Sequence, residues 1–245
     1  MATIHFILQG KGGVGKSMIA AFLYQAATAL GKSVEAFDTD PINATLASYE
    51  GFTVTRIDVL DESGAIDPLK FDALVERLAY TQCEHVIADN GASSFVELGN
   101  YIRQGDILKL LQEGGADWKG HQILLHTVVT GGQATQDTLN GLTQLAKEFP
   151  EQSIVLWLNP YFGRVSVPAA GNKPISEFLS EGYPSIVAAI ELPEVKGNYG
   201  ADLERMLCSH QTFAEADATV CIASKGRLRA YWEKILKDIT RVNII

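Results

Sequence analysis

Short apolar runs alternate along the chain with longer stretches in which apolar residues recur every three or four positions. Ile4–Gln9 is an apolar run that ends in a glycine-rich turn. Ser17–Leu30 then reads as an alanine-rich helix, with Gly31 as its natural stop. Ser33–Phe37 is a second strand running into Asp38, and Thr53–Asp58 a third. Asp67–Tyr80 opens with Asp-Pro and places Leu69, Phe71, Leu74, Val75 and Leu78 at helical spacing. Glu84–Ala88 is a fourth strand, ending at Asp89. Gln122–Val129 and Ser153–Leu158 follow as strands, separated by a helix from about Ala134 to Lys147. Ser185–Ile190 closes the strand set, and helices fill about Ala201–Leu207 and Gly226–Thr240.

Strands alternating with helices of this length require crossover connections. The predicted fold is therefore α/β and three-layered, a mostly parallel central sheet with helices on both faces. Gln104–Gln122, with room for one short helix before Gly114-Gly115, and the loop Tyr161–Lys173 interrupt the rhythm. No repeat, low-complexity tract or linker divides the chain, so residues 1–245 are expected to form one domain.

Composition narrows the classes. Hydrophobic residues make up 47% of the 245 and charged residues 20%, enough for one large core. Cys83, Cys208 and Cys221 form no CxxC pair, so the chain is not a disulfide scaffold and suits a reducing compartment. Cys83-x-His85 and Cys208-x-His210 read as buried thiols and incidental histidines rather than a zinc site. The net charge of −9 excludes a chain that is basic throughout, but residues 225–245 carry six Lys/Arg against two Asp/Glu. No secretory signal and no run of 18 apolar residues is visible, so a soluble, cytoplasmic protein without a membrane partner is expected.

The chemistry lies in the first turn. Gly10-Lys11-Gly12-Gly13-Val14-Gly15-Lys16-Ser17 fits GxxxxGK[ST] without a mismatch, between a strand and a helix. Glycines let backbone N–H groups approach phosphate oxygens, and the helix start turns its positive end to the same anion. In such a loop Lys16 can reach the β- and γ-phosphates, and the Ser17 hydroxyl can complete a Mg²⁺ shell. Gly10, Gly12 and Gly15 also satisfy GxGxxG, with Glu35 or Asp38 placed for a ribose, so a nicotinamide-binding fold competes for the same residues. That pattern leaves Lys16-Ser17 unexplained.

Lys11 through Ser17 resembles the deviant Walker A loop of the ParA/MinD-type P-loop ATPases, with Lys11 in the place of the signature lysine. The resemblance implies ATP and Mg²⁺ as cofactors, slow hydrolysis, and a homodimer that sandwiches two nucleotides while each signature lysine crosses to its partner's phosphates. It extends nucleotide contacts from Gly10 through Met18 and makes Lys11, Lys16 and Asp40 catalytic. Phe37-Asp38-Thr39-Asp40-Pro41 resembles the family's DxDP stretch, so Asp40 would orient the attacking water and Asp38 help hold the metal shell. His85–Asp89 resembles the Walker B strand, with Asp89 toward Mg²⁺. Leu158-Asn159-Pro160 and Leu192-Pro193-Glu194-Val195 resemble the base-contacting segments, which brings in Asn159 and Pro193. The plainer alternatives are a helix cap before Asn43 for Asp38 and Asp40, and ordinary strand-end residues for Asp89 and Asn159. Where the family has a Pro-Gly switch segment, this chain has Asn90-Gly91-Ala92-Ser93-Ser94.

Within the family, the absence of an N-terminal helix-turn-helix and of a cysteine pair after Asp89 leaves the chain most similar to short ATPases that accompany conjugative plasmid transfer. Plasmid partition is the neighbouring reading, and a protein partner is expected in either case. A small-molecule kinase or ligase on the same loop, or an assembly factor with vestigial hydrolysis, also fits the motif. In the last helix Leu228, Tyr231, Trp232, Ile235, Leu236 and Ile239 form an apolar stripe flanked by Arg227, Arg229, Lys234, Lys237 and Arg241. Packing on the sheet is the plain reading, with DNA or a protein as the alternative ligand of its cations.

Overall fold

A computed structural model describes residues 1–171 and 173–245. Its seven strands are β1 (Thr3–Ile7), β2 (Val34–Asp38), β3 (Val54–Arg56), β4 (His85–Asp89), β5 (Gln122–Thr130), β6 (Ser153–Asn159) and β7 (Ile186–Glu191). They form one sheet in the order β3-β2-β4-β1-β5-β6-β7, and every pairing is parallel. The α-helices are α1 (Lys16–Ala29), α2 (Asp72–Ala79), α3 (Phe95–Gln104), α4 (Ile107–Glu113), α5 (Thr135–Glu148), α6 (Ile175–Gly182), α7 (Asn198–Cys208), α8 (Phe213–Thr219) and α9 (Ile222–Arg241).

Helices cover both faces, which is why β4 and most of β6 are buried along their length. Phe6, Val86, Leu125 and Leu156 face the layer of α2 to α6. Ile7, Ile87, Leu124 and Trp157 face α1, α7, α8 and α9. α1 approaches the sheet closely because Ala20, Ala21, Ala26 and Ala27 line its fully buried side. It stops in a Schellman motif, with Gly31 at φ 71°, Gly31 N–H donating to Thr28 O and Lys32 N–H to Ala27 O.

Three helices went unread in the sequence: α3, α6 and α8. The expected helix over Asp67–Tyr80 is split, because Asp67 caps a 3₁₀ turn at Pro68–Phe71 before α2 begins. The anticipated short helix after Gln104 is α4, and β3 is shorter than expected. The loop 161–173 contains a 3₁₀ turn at Pro168–Ala170, while its residue 172 lies outside the described residues.

Inside the α1 face of the sheet, three histidines and a tryptophan form a buried row. Trp157 Nε1–H donates to His126 Nδ1 (3.0 Å), His126 Nε2 lies 2.9 Å from His5 Nδ1, and His5 Nε2 lies 3.1 Å from His85 Nδ1. An indole can only donate, so the row has one consistent polarity: each imidazole accepts at Nδ1 and donates at Nε2, all neutral. Burial holds His126 down at about 3, and burial together with its two imidazole neighbours holds His5 well below the ordinary histidine range. Groups depressed in the folded state contribute stability above their unfolded pKa and lose it as protons bind to the unfolded chain. Stability is therefore expected to fall as pH drops below about 6.5, by at most about 1.4 kcal/mol per pH unit for each such histidine. Chemical denaturation between pH 7.5 and 5 should show this slope, and His126→Gln should flatten it. An equal slope in the variant would contradict the assignment.

Candidate functional site

The carboxyl ends of β1, β2, β4 and β6 meet around the amino end of α1, the position where open parallel sheets bind ligands. The loop between β1 and α1 needs its glycines there. Gly13 (φ 71°) and Gly15 (φ 102°) lie in the left-handed region, and a Cβ on Gly15 would also meet Asn159 Nδ2 at 2.9 Å. Gly10 passes so close to Phe95 of α3 that a Cβ would stand 3.0 Å from its ring.

A cavity of about 680 Å³ opens over this loop. Gly12, Gly13, Gly15, Lys16, Ser17, Met18, Asp40, Asn159 and Pro193 all line it. Gly10, Lys11, Val14, Asp38 and Asp89 are not among its lining residues; they stand behind or beside the wall. The far end is apolar, made by Leu203 and Leu207 of α7 and Tyr231 of α9. Sequence reading missed these residues as site components, although the α9 stripe containing Tyr231 was visible. The cavity thus has a polar end rich in N–H groups and an apolar end suited to a planar ring.

Lys16 is 8% exposed, and its ammonium donates to Lys11 O at 3.2 Å. Burial pulls its pKa down, while Asp89 and Asp40 favour the charged form. Asp89, at the end of β4, is 1% exposed, and its Oδ1 has no hydrogen-bond partner. Burial pushes this carboxyl up to about 7, with Asp38 and Asp40 adding to the rise and Ser17 and Lys16 opposing it. A buried carboxylate oxygen without a partner, beside a serine hydroxyl and two further carboxylates, suits a hard divalent cation. The residues present fit Mg²⁺.

Asp38 is fully buried and spends its oxygens on the backbone: Oδ1 accepts from Asp40 N–H (3.0 Å) and Oδ2 from Ala47 N–H (3.1 Å). It shapes the 39–47 loop. Asp40 Oδ1 accepts from Ile42 and Asn43 N–H at 2.9 and 3.0 Å, closing a turn rather than capping a helix, since the next regular turn is the 3₁₀ segment Leu46–Ser48. Asn159 donates from Nδ2 to Val14 O (2.9 Å) and accepts Tyr161 N–H (3.1 Å), clamping the glycine loop to the end of β6. Lys11 reaches sideways to Asp137 of α5 at 2.8 Å, a partner that the motif did not indicate. The acidic residues weighed for a nicotinamide ribose are both engaged, Glu35 by Thr81 and Asp38 by the backbone.

The cations of α9 are largely neutralised at home. Arg227 pairs with Asp202, Arg229 with Asp217 (2.6 Å), and Lys234 and Arg241 with Asp238. The apolar stripe does not lie directly on the sheet as expected but packs against α1, α7 and α8, with Leu228, Tyr231, Ile235 and Ile239 buried. Of the thiols expected to be buried, Cys83 is half-buried and Cys208 exposed. Among the described residues no helix is long and apolar enough to cross a membrane.

This fold and site define a P-loop nucleotide-binding domain, and comparison with known proteins agrees. Residues 5–240 match the family described as CobQ/CobB/MinD/ParA nucleotide binding domain, and the chain belongs to that family. It is 42% identical to a Protein TraL of Escherichia coli over 249 residues, covering all of both chains. It is 40% identical to a second Escherichia coli Protein TraL, covering 94% of this chain and 93% of that one. In fold it is similar to MinD with Mg-ADP from Pyrococcus horikoshii OT3 (TM-score 0.56, 15% identity, 99% of this chain and 97% of that one). The MinC:MinD cell division protein complex of Aquifex aeolicus also resembles it (TM-score 0.54, 17% identity, 96% of each chain).

The Asp89 environment makes a signed prediction. A carboxyl raised in the folded state destabilises the protein as pH climbs from the ordinary carboxylate range through about 7. Without a cation, Asp89→Asn should therefore melt several degrees above wild type at pH 8, a gap that narrows toward pH 5. Mg-ATP should raise the melting temperature of wild type far more than that of the variant. A less stable variant at pH 8, or equal Mg-ATP shifts, would contradict the assignment.

Proposed function

We propose that this chain is a Mg-ATP-dependent molecular switch that hydrolyses ATP slowly as a homodimer and serves plasmid conjugal transfer, as its similarity to the TraL proteins suggests. The observation that carries this reading is the glycine loop whose Lys16 and Ser17 line the cavity, with the orphaned carboxylate oxygen of Asp89 buried beside Ser17 just behind the wall. Inward N–H groups and Lys16 would bind the phosphates, and Ser17 and Asp89 would hold Mg²⁺, which would supply charge to offset that on the transferred phosphoryl group. Asp40, anchored through one oxygen by two amides, holds the attacking water with the other.

Lys11 is the switching element. Its ammonium rests on Asp137 of its own chain with about half of each side chain exposed, so little energy holds it there. Leaving Asp137 makes Lys11 available to a nucleotide across a dimer interface. Plasmid partition is the related role, with a DNA or protein partner; the internal pairing of α9 favours a protein over DNA. The apolar end of the cavity and the engaged acidic residues of β2 favour ATP over a dinucleotide.

Lys11→Ala should bind ATP with an affinity within about threefold of wild type yet lose at least about tenfold in hydrolysis. Equilibrium binding of a fluorescent ATP analogue and a phosphate-release assay, the latter with and without protein from the host transfer system, measure the two effects. Hydrolysis at the wild-type rate would remove Lys11 from the mechanism.

A further inference from the structure

The two loops flanking the phosphate end are joined by a buried side chain with no assigned role. Asn90, immediately after β4, is 2% exposed. Its Oδ1 lies 3.0 Å from the Thr39 hydroxyl and 2.8 Å from the Ser94 hydroxyl, and its Nδ2 donates to Gly91 O at 2.9 Å. Thr39 and Ser94 are themselves fully buried. Thr39 N–H also donates to Asp89 O at 3.0 Å, and the Ser94 hydroxyl faces Gly91 O at 3.3 Å. Thr39 sits between Asp38 and Asp40, while Ser94 is the residue before α3, whose carbonyl accepts Leu98 N–H in the first helical turn. One amide therefore spans the Asp40 loop, the 90–93 loop and the start of a helix.

A second contact closes the same joint. A Cβ on Gly91 would stand 2.8 Å from Asp40 Cγ and 3.1 Å from its Cα, so the two loops touch backbone to backbone. On the other side of Gly91, Ala92 and Ser93 line the same cavity as Lys16. No proline restrains residues 90–94, so the conformation of this loop is set by the hydrogen-bonded ring. Such a ring can break and re-form in a second arrangement, whereas unmet buried donors and acceptors are costly, so intermediate positions are disfavoured.

We infer that Asn90 is the positioning residue that couples the Asp40 loop to the 90–93 loop and transmits the state of the phosphate end into the first turn of α3. Asn90 is not among the residues that line the cavity; it acts through Thr39 of the Asp40 loop on one side and Ser94 on the other. The inference rests on the ATP-switch reading and adds to it a route by which the bound nucleotide is reported to the α3 face.

Asn90→Ala, the near-isosteric Thr39→Val and the double variant test this, with folding checked by circular dichroism. Calorimetry with Mg-AMPPNP should give dissociation constants within about threefold of wild type, while ATP turnover falls about tenfold or more. Hydrogen exchange at the amides of residues 95–98 should slow in wild type on adding Mg-AMPPNP and remain unchanged in both single variants. The double variant should be no worse than the weaker single, since both cut one network. Asn90→Ala that turns over ATP within about twofold of wild type and keeps the exchange response would overturn the coupling. If Asn90→Ala does not fold, the same outcomes in Thr39→Val decide. Wild type that does not bind Mg-AMPPNP at all would bring down the ATP reading and the coupling together, whereas binding with unaffected variants removes the coupling alone.

Discussion

A buried carboxylate and a nearly buried ammonium share the end of the central strands, and the surrounding structure is arranged to make that tolerable. Asp89 and Lys16 are both withdrawn from water, where each charge alone is heavily penalised. They offset one another across the mouth of the sheet, yet Asp89 keeps an oxygen without a partner and a carboxyl raised to about 7. The amino end of α1 turns its N–H groups into the same space. The result is a group of N–H donors beside a buried carboxylate oxygen, an arrangement that suits an anion and a divalent cation side by side.

The parallel order places these groups. β1 is flanked by β4 and β5, so the glycine loop leaving β1 lies next to Asp89 leaving β4, and β2 delivers Asp38 and Asp40 one strand further out. Asp38 gives both oxygens to the 39–47 loop, which frees one oxygen of Asp40 to face the cavity. Asn159 performs the matching task from β6, tying Val14 down so that the loop keeps its curvature. The layer of α1, α7 and α9 then supplies the apolar end. Tyr231 reaches the cavity because the α9 stripe is committed to the core, and the helix's cations are returned to nearby aspartates.

Much of this was legible in the residues. Strand–turn–helix alternation foretold the three layers, and the GxxxxGKS turn located the cavity because few other functions need those residues at that spacing. What escaped notice has physical reasons. α3 follows a polar turn and buries only Phe95, Leu98, Gly99 and Ile102, too short a stripe beside the motif to stand out. α8 did carry a signal, the Thr212-x-x-Glu215 capping box, but the helix it caps is only seven residues long. Asp137 and the Leu203–Leu207 wall meet the loop through tertiary folding alone, more than a hundred residues away along the chain. The cations of α9 left a DNA or protein ligand open as the alternative to plain packing. Spacing cannot reveal that Asp202 and Asp217 lie beside its arginines.

The central claim, that ATP assembles two chains through the Lys11 loop, is tested most directly by light scattering coupled to size exclusion. Wild type and Asp40→Ala would be compared with Mg-ATP, with Mg-ADP and without nucleotide. Slowed hydrolysis in Asp40→Ala should trap a dimer, about twice the 26.6 kDa chain mass, with Mg-ATP alone. A mass that is the same in all three conditions, with nucleotide binding intact, would contradict the account.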